Sequence, residues 1–387
     1  MNLNVAPRVK SRFRFSPFSP TIRFCFTPHS RLTRGVIDTR HKLAEFLPKL
    51  AAAAWVAVDT EADSLHAYPP KLCLLQISLP GADELIDPLA SVDLTSLLER
   101  MREHELILHG ADYDLRLLYR AFHFVPDAVF DTMLAARLLG HREVGLTNLV
   151  STLLGVRLEK GPQKADWARR PLTERMEQYA RNDARFLKPL ADLLRLDLDQ
   201  KQRSAWHRET CARLIQDCAR LTPPDHDQVW RVKGADRLDR RGLAVLRELW
   251  RWREGEAVAA DRPPYFVLSH ETLVALANAA ADSQSIEHLL PSGLSRNRRH
   301  RLLSALQEAL VLPPERWPRR NRPSGRRPSP EERERYEQLR QKRDRVASAL
   351  GIDPTLIASR ATLSSLAMAG DAHQQELMAW QRQLLRA

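Results

Sequence analysis

Short apolar runs, each four to seven residues long, recur in the first half of the chain. They occupy Trp55–Asp59, Leu72–Ser78, Glu84–Asp87 and Glu105–His109. Runs of this length are typical of strands that are buried on both faces. Between and after them, apolar side chains recur every three or four residues, as in amphipathic helices. Strands that alternate with helices predict a layered α/β domain.

The second half of the chain lacks such runs, and its leucines fall at helical spacing between proline-containing breaks. The stretch Pro313–Pro330 is rich in proline and arginine and is predicted to be extended. The predicted units are a basic arm at 1–34, an α/β domain at 35–204, a helical domain at 205–318, a linker at 319–332 and a second helical unit at 333–387.

Composition and charge narrow the class of protein. With 43% hydrophobic residues among 387, the chain is not disordered as a whole. The most apolar run, Leu50–Val58, is too short to cross a membrane, so no membrane association is expected. Four scattered cysteines favour neither a disulfide framework nor a zinc site, and they indicate a reducing compartment such as the cytoplasm.

The net charge of +12 is unevenly distributed: +7 in residues 1–37, −5 in residues 38–200 and +10 in residues 201–387. Basic flanks indicate a polyanionic partner. The arm at 1–34 contains no acid, shows no helical or strand period, and lacks the apolar core of a secretory signal. We interpret it as a disordered arm or a start assigned too early, with an organelle transit peptide as the alternative.

Two carboxylates end the first predicted strand. Asp59 and Glu61 are two residues apart, and the period of a strand puts both on one face. Their repulsion requires a compensating cation, and oxygen ligands suit Mg²⁺ or Mn²⁺. The alternative is a solvated strand end.

Further acids lie on two predicted helices. Tyr179 and Asp183 share a helix face, as a structural pair or as part of a site. In the segment after the fourth run, Asp112 is placed to cap a helix or to face solvent, whereas Asp114 adjoins the buried stripe and is favoured as a ligand.

These segments together resemble a known family. Asp59-Thr-Glu61, His109–Asp114 and Tyr179–Asp183 resemble, in order and spacing, the three motifs of DEDD-type 3′–5′ exonucleases of the tyrosine subclass. The flanking stretches Trp55–Leu65, Lys71–Ile77 and Ala165–Thr173 are most similar to the ribonuclease D family.

The helical half resembles a second kind of module. Residues from Arg240 to Trp317 resemble the helicase-and-ribonuclease-D C-terminal (HRDC) domain, and the unit containing Leu350–Arg360 resembles a degenerate second copy. A helicase is excluded because the sequence contains no GxxxxGK[ST] phosphate loop.

The resemblance implies a ribonuclease-H-like mixed five-stranded sheet with flanking helices, followed by one or two HRDC-type domains. It also implies a metal-dependent 3′–5′ exoribonuclease that releases nucleoside 5′-monophosphates. Asp59, Glu61, Asp114 and Asp183 would then hold two divalent ions, Mg²⁺ or Mn²⁺, and Tyr179 would orient the attacking water. A tyrosine with a pKa near 10 is a poor base at neutral pH.

The resemblance also suggests substrate contacts. Leu65 and His66 follow the first motif, where relatives touch the terminal nucleotide, and they could wedge and stack a base. Lys160, Lys164 and Arg169-Arg170 could contact phosphates, or could simply form a solvated charge run. In the helical domain the densest basic patch contains Arg296, Arg298, Arg299 and Arg301.

The expected substrate is RNA with a single-stranded 3′ end, with tRNA precursors favoured. A DNA exonuclease of the same chemistry is the nearer alternative, because the motif acids do not read the 2′-hydroxyl. A non-catalytic RNA-binding protein is the more distant alternative, and no motif acid is missing to support it. The sequence does not indicate a protein partner.

Overall fold

The computed structural model describes residues 35–159, 161–220, 225–320, 327–369 and 374–386. The predicted arm at 1–34 lies outside the described residues. Within the described ranges, no helix combines the length and the apolar character needed to span a bilayer.

One mixed sheet of five strands forms the centre of the first domain, which confirms the expected fold class. The strands are β1 Val56–Ala62, β2 Leu72–Leu79, β3 Ala82–Ile86, β4 Glu105–Leu108 and β5 Ala128–Asp131. Their order across the sheet is β3-β2-β1-β4-β5. β2 pairs antiparallel with both β1 and β3, whereas β4 is parallel to β1 and to β5. The central strand β1 carries Asp59 and Glu61, which pair with Gln76 and Leu74 of β2 and lie beyond the part of β1 that pairs with β4.

Eight helices of the first domain cover the two faces of the sheet. They are α1 Arg40–Ala51, α2 Thr95–Arg102, α3 Asp112–Phe122, α4 Thr132–Leu139, α5 Leu146–Leu149 (continued by a π-helical turn at Val150–Leu154), α6 Glu174–Arg185, α7 Leu187–Gln200 and α8 Ser204–Cys218. One core joins α1, α2 and α3 to side chains of the sheet that include Val56, Val58 and Leu106. A second core, beneath α4 and α7, begins at Ala57 and Ile107, which point to the opposite face.

Helix α8 begins at the domain boundary predicted at 204/205 and lies on the α/β domain. Helix α8 packs against β5 and α3, and Cys218 near its end belongs to the core under α3. His207 on the same helix lies with Nε2 2.9 Å from the backbone carbonyl oxygen of Asp131. Helical periodicity alone could not show that α8 packs on the sheet rather than on the helical domain that follows.

The remaining helices form two units. The first contains α9 Arg240–Ala259, α10 Pro264–Val267, α11 His270–Ala281 and α12 Arg296–Leu310, and the second contains α13 Pro330–Leu350, α14 Pro354–Ile357, α15 Arg360–Ala369 and α16 Ala379–Arg386. In each unit the first helix packs against the other three. Helix α13 begins at Pro330, three residues before the predicted start of the second unit, because Ser329 and Glu332 form a capping box there.

The two units repeat local contacts at a constant offset of ninety residues. Arg253 donates to the backbone carbonyl of Leu268, and Arg343 donates to that of Ala358. The serine that follows each of these acceptors, Ser269 or Ser359, accepts a hydrogen bond from a backbone N–H three residues later. This correspondence supports our interpretation of the second unit as a degenerate copy of the first.

The second unit shares a hydrophobic core with the α/β domain. Ile357 and Trp380 belong to the same buried cluster as Leu190 and Leu194 of α7. Trp206 stacks on Trp380 with ring centroids 5.1 Å apart. The buried side chain of Arg203 donates to the backbone carbonyl oxygens of Leu138 and Leu350, at 2.6 and 2.7 Å, and so joins the two parts.

Candidate active site

Three acids converge where β1 meets α6. Asp59 and Glu61 lie on the same face of β1, as the strand period predicts, and both are half-buried. Asp183 lies on α6, which packs across β1, β2 and β3 and is N-capped by the side chain of Thr173. One carboxylate oxygen from each of the three acids lies within 4.8 Å of the others.

The fourth acid lies behind this group. Asp114 is in the first turn of α3, is 7% exposed, and accepts a 2.5 Å hydrogen bond from the Thr60 hydroxyl. Its charge contributes to raising the pKa of both Asp59 and Glu61. Asp112 is instead exposed and pairs with Arg116 at 3.0 Å, while Ala111 occupies the cap position. The structure thus turns Asp114, and not Asp112, toward the other acids.

The four carboxylates repel one another. Burial first, and then the charges of Asp183 and Asp114, raises the pKa of Glu61 to about 9. Burial and the neighbouring acids raise the pKa of Asp59 well above its usual range, and burial raises the pKa of Asp114 and of Asp183 to about 6. No lysine or arginine of the described ranges is among the groups that shift these pKa values. A cluster of hard oxygen donors without a protein cation suits a divalent metal ion.

Tyr179 lies one helical turn before Asp183 and is half-buried. Its hydroxyl interacts with the side chains of Asp183 and Gln163, and both interactions shift its pKa. Burial, and then the charge of Asp183, raises the pKa of this phenol far above its usual range, so it stays protonated at neutral pH. A protonated phenol can donate a hydrogen bond to a water, but it cannot remove a proton from it.

Gly161 touches the ring of Tyr179. A Cβ atom added at Gly161 would lie 1.5 Å from Cδ2 of Tyr179, so only glycine fits between the backbone and the ring. Gly161 and Gln163 therefore define the position of Tyr179 from a segment about twenty residues upstream. No signal in the sequence marks Gly161 or Gln163, because the contact exists only after α6 has packed.

Asp59, Glu61, Asp183 and Tyr179 line an open cleft of about 1160 Å³. Its other walls come from Gly145 and the first residues of α5, and from the segment that precedes the third motif. Besides the residues already described, the lining includes His109, Gly145, Thr147, Asn148, Leu158, Glu159, Lys164 and Asn182. His109, from the second motif segment, lies with Nδ1 2.9 Å from the hydroxyl of Thr132.

The predicted substrate residues near the cleft have different surroundings. Leu65 is 49% exposed, and His66 lies with Nε2 3.0 Å from the backbone carbonyl oxygen of Lys164. The Lys164 side chain is exposed at the cleft, whereas Lys160 lies outside the described residues. Arg170 is not available to phosphate, because it forms a bidentate ion pair with buried Asp87 and donates to the carbonyl of Cys73.

The predicted basic patch on α12 is largely neutralised. Arg298 and Arg301 both pair with Glu256 of α9, and Arg299 pairs with Glu287. Three of the four arginines therefore have acidic partners in the folded unit. The sequence alone indicates a more positive patch, because the acids that pair with these arginines come from other segments of the helical unit.

Comparisons with known proteins agree with this arrangement. A family model described as 3′–5′ exonuclease matches residues 35–199, and the HRDC domain model matches residues 242–301. Ribonuclease D of Zymomonas mobilis is 34% identical over 288 residues, which are 72% of this chain and 73% of the relative. Ribonuclease D of Gluconacetobacter diazotrophicus is 31% identical over 90% of this chain and 89% of its own.

Solved structures show the same relationship. The crystal structure of Escherichia coli RNase D, described as an exoribonuclease involved in structured RNA processing, superposes with a TM-score of 0.69 at 26% identity. It covers 91% of this chain and 98% of its own. The catalytic core of RRP6 from Trypanosoma brucei superposes with a TM-score of 0.61 at 26% identity, over 71% of this chain and 78% of its own. The chain therefore belongs to the ribonuclease D family of 3′–5′ exoribonucleases.

Proposed function

We propose that this enzyme trims single-stranded RNA 3′ ends, one nucleoside 5′-monophosphate at a time, with two divalent ions held by Asp59, Glu61, Asp114 and Asp183. The observation that carries the proposal is the convergence of carboxylate oxygens from Asp59, Glu61 and Asp183 within 4.8 Å of one another. Such a group is electrostatically costly unless a metal ion occupies it. Because the family hydrolyses RNA, a metal ion at this site would act in that hydrolysis.

The chain's own residues have separable roles in this proposal. Asp59, Glu61 and Asp183 supply the converging oxygens, and Asp114 adds charge from behind while Thr60 holds its carboxylate. Mg²⁺ or Mn²⁺ would lower the pKa of a bound water and stabilise the leaving 3′-oxygen. Tyr179, protonated and fixed by Gln163, Asp183 and Gly161, orients the attacking water by a hydrogen bond.

We further propose that Leu65 and His66 contact the terminal nucleotide at the mouth of the cleft and that Lys164 contacts a phosphate. Lys160 is proposed for a second phosphate on the resemblance alone. Arg298 and Arg299 are weaker candidates for the body of the RNA, because their charges are paired. Processing of tRNA precursors in the cytoplasm remains the expected setting, and it is supported by the structured-RNA role described for E. coli RNase D.

The test compares Asp183→Asn with Asp192→Asn, a matched change on α7 in an ion pair with Lys188. Purified proteins are incubated with a single-stranded oligoribonucleotide and Mg²⁺ or Mn²⁺, and released nucleoside 5′-monophosphates are counted by chromatography. Asp183→Asn should abolish release without lowering the Tm, and Asp192→Asn should remain active. Activity of Asp183→Asn at the wild-type level would contradict the proposed site.

A DNA exonuclease of the same chemistry stays the second candidate, because the family model that matches residues 35–199 is described only as 3′–5′ exonuclease. Matched RNA and DNA strands of one sequence, degraded side by side, separate the two. A higher kcat/KM on RNA is expected, and a preference for DNA would favour the alternative.

A further inference from the structure

The loop Asp63–Lys71 connects β1 to β2 and begins two residues after Glu61. It carries Leu65 and His66, and His66 contacts Lys164, which lines the cleft. Hydrogen bonds from its own backbone shape it: the carbonyl of Asp63 accepts from the N–H groups of His66 and Ala67. The buried Asp63 carboxylate accepts from the backbone N–H of Lys71 at 2.7 Å and closes the loop at its far end.

The first helical unit holds this loop from outside. The hydroxyl of Tyr68 donates to Oε2 of Glu254 at 2.6 Å, and the backbone N–H of Tyr68 donates to Oδ1 of Asp261 at 3.1 Å. The ammonium group of Lys71 donates to Oδ2 of the same Asp261 at 3.2 Å. Two acids of the helical unit thus bind two points of the loop.

Glu254 and Asp261 are each also held within the first helical unit. Oε1 of Glu254 accepts from the guanidinium of Arg253, which is 2% exposed and also donates to the carbonyl of Leu268. Asp261 lies in the turn that ends α9, where it has a positive φ of 44°. Glu254 is therefore an acceptor fixed by a buried neighbour, whereas the exposed Asp261 is positioned by its backbone turn and by its bonds to the loop.

The loop also contacts the segment that precedes the third motif and lines the cleft. Nε2 of His66 lies 3.0 Å from the carbonyl oxygen of Lys164, in the segment that contains Gly161 and Gln163. A continuous set of contacts therefore runs from α9 through Tyr68 and His66 to the segment that packs on Tyr179.

We propose that Tyr68 is a positioning residue. Together with Glu254 and Asp261, it lets the first helical unit set the width and shape of the entrance through which the RNA 3′ end passes. The helical unit then acts on the active site by holding the loop, apart from any contact of its own with RNA. This inference rests on the proposed active site.

The negative charge of Asp261 makes it possible to distinguish the positioning role from a direct contact with RNA. Asp261 is negatively charged and exposed, so it repels phosphate. If charge alone mattered, Asp261→Ala would improve RNA binding. If Asp261 holds the loop, Asp261→Ala weakens RNA binding despite the charge it removes.

The experiment measures kcat and KM for a five-nucleotide single-stranded RNA with Mg²⁺ in the full-length chain. Tyr68→Phe removes only the hydroxyl, and Glu254 keeps its partner Arg253, so no buried charge is left unpaired. Tyr336→Phe and Asp282→Ala, in helical segments away from the loop, are the matched controls. Tyr68→Phe and Asp261→Ala should each raise KM about tenfold, as expected for the loss of a hydrogen bond to a charged acceptor, with kcat within about twofold of wild type. The double variant should raise KM little more than either single variant, because each single change already releases the loop.

The inference is overturned if both variants keep the KM of their controls, if Asp261→Ala lowers KM, or if kcat and Tm fall while KM stays constant. Wild-type protein that releases no mononucleotide with Mg²⁺ or Mn²⁺ would refute the proposed function itself. Active wild-type protein with unaffected variants refutes only the positioning role.

Discussion

The contact between Gly161 and Tyr179 leads to a sharp prediction for Gly161→Ala. The added Cβ would lie 1.5 Å from Cδ2 of the ring and 2.2 Å from two further ring atoms. Non-bonded carbons require about 3.5 Å. The ring and the Gly161 backbone must therefore separate by about 2 Å, which displaces the hydroxyl from Asp183 and Gln163.

A displacement of this size is large for catalysis, because a misplacement of about 1 Å can cost about 10²-fold in rate. We expect Gly161→Ala to lower kcat about 10²-fold, which corresponds to about 2.7 kcal/mol in the activation barrier. The stability should change little, because the ring is half-buried at an open cleft. Tyr179→Phe sets the loss expected when the hydroxyl is absent altogether.

The assay is steady-state hydrolysis of a short single-stranded RNA with Mg²⁺, alongside a thermal melt. Gly145→Ala is the matched control, because Gly145 lines the same cleft, and no atom would lie within 4 Å of its added Cβ. Gly145→Ala should keep a wild-type kcat. The reasoning is refuted if Gly161→Ala also keeps it while Tyr179→Phe is impaired, since the ring would then not depend on Gly161 for its position.

Three further predictions concern stability and reactivity. Addition of Mg²⁺ or Mn²⁺ should raise the Tm by several degrees, since a ligand at one hundred times its Kd adds about 2.7 kcal/mol; the rise should disappear in Asp183→Asn, and an equal rise there would place the metal elsewhere. Gly140→Ala should lower the free energy of unfolding by about 2–4 kcal/mol in denaturant unfolding, because the φ of Gly140 is +90° and the added Cβ would lie 2.1 Å from the carbonyl oxygen of Gly351. Gly255→Ala should not lower it, because the added Cβ would lie in open space. Burial raises the pKa of three thiols to about 11 or 12, so that fewer than about one in 10³ of them is ionised at pH 8. In a Cys25→Ser background, these thiols should react with a thiol reagent only after the protein has unfolded. Rapid reaction of the native protein would contradict their burial. These thiols belong to Cys73, Cys211 and Cys218.

The sequence predicted those parts of the fold and site that depend on local periodicity. The two-residue spacing of Asp59 and Glu61 and the four-residue spacing of Tyr179 and Asp183 assign their faces before any packing is known. Four strands were visible as apolar runs. Strand β5 was not visible, because its four residues include an alanine and an N-capping aspartate and form no distinct run.

What the sequence could not supply are contacts between distant segments. The pairing of Arg298 with Glu256 joins positions forty-two residues apart, and the bond from Tyr68 to Glu254 joins positions 186 apart. Such pairs depend on how the helices pack, which no local pattern encodes. The roles of Gly161 and the partners of Arg298 therefore emerge only in the folded protein.

The core shared between the second helical unit and the α/β domain bears on how the chain can be divided. Ile357, Leu363 and Trp380 fill the same cluster as Leu190 and Leu194, so the unit is not an independent appendage despite the proline-rich stretch before it. A protein truncated in that stretch would expose apolar side chains of the shared cluster, including Trp206 of α8, and an exposed apolar surface promotes aggregation. For the same reason, the second helical unit and the α/β domain should melt in a single cooperative transition. A fragment of this enzyme should therefore include α13 to α16 together with the α/β domain.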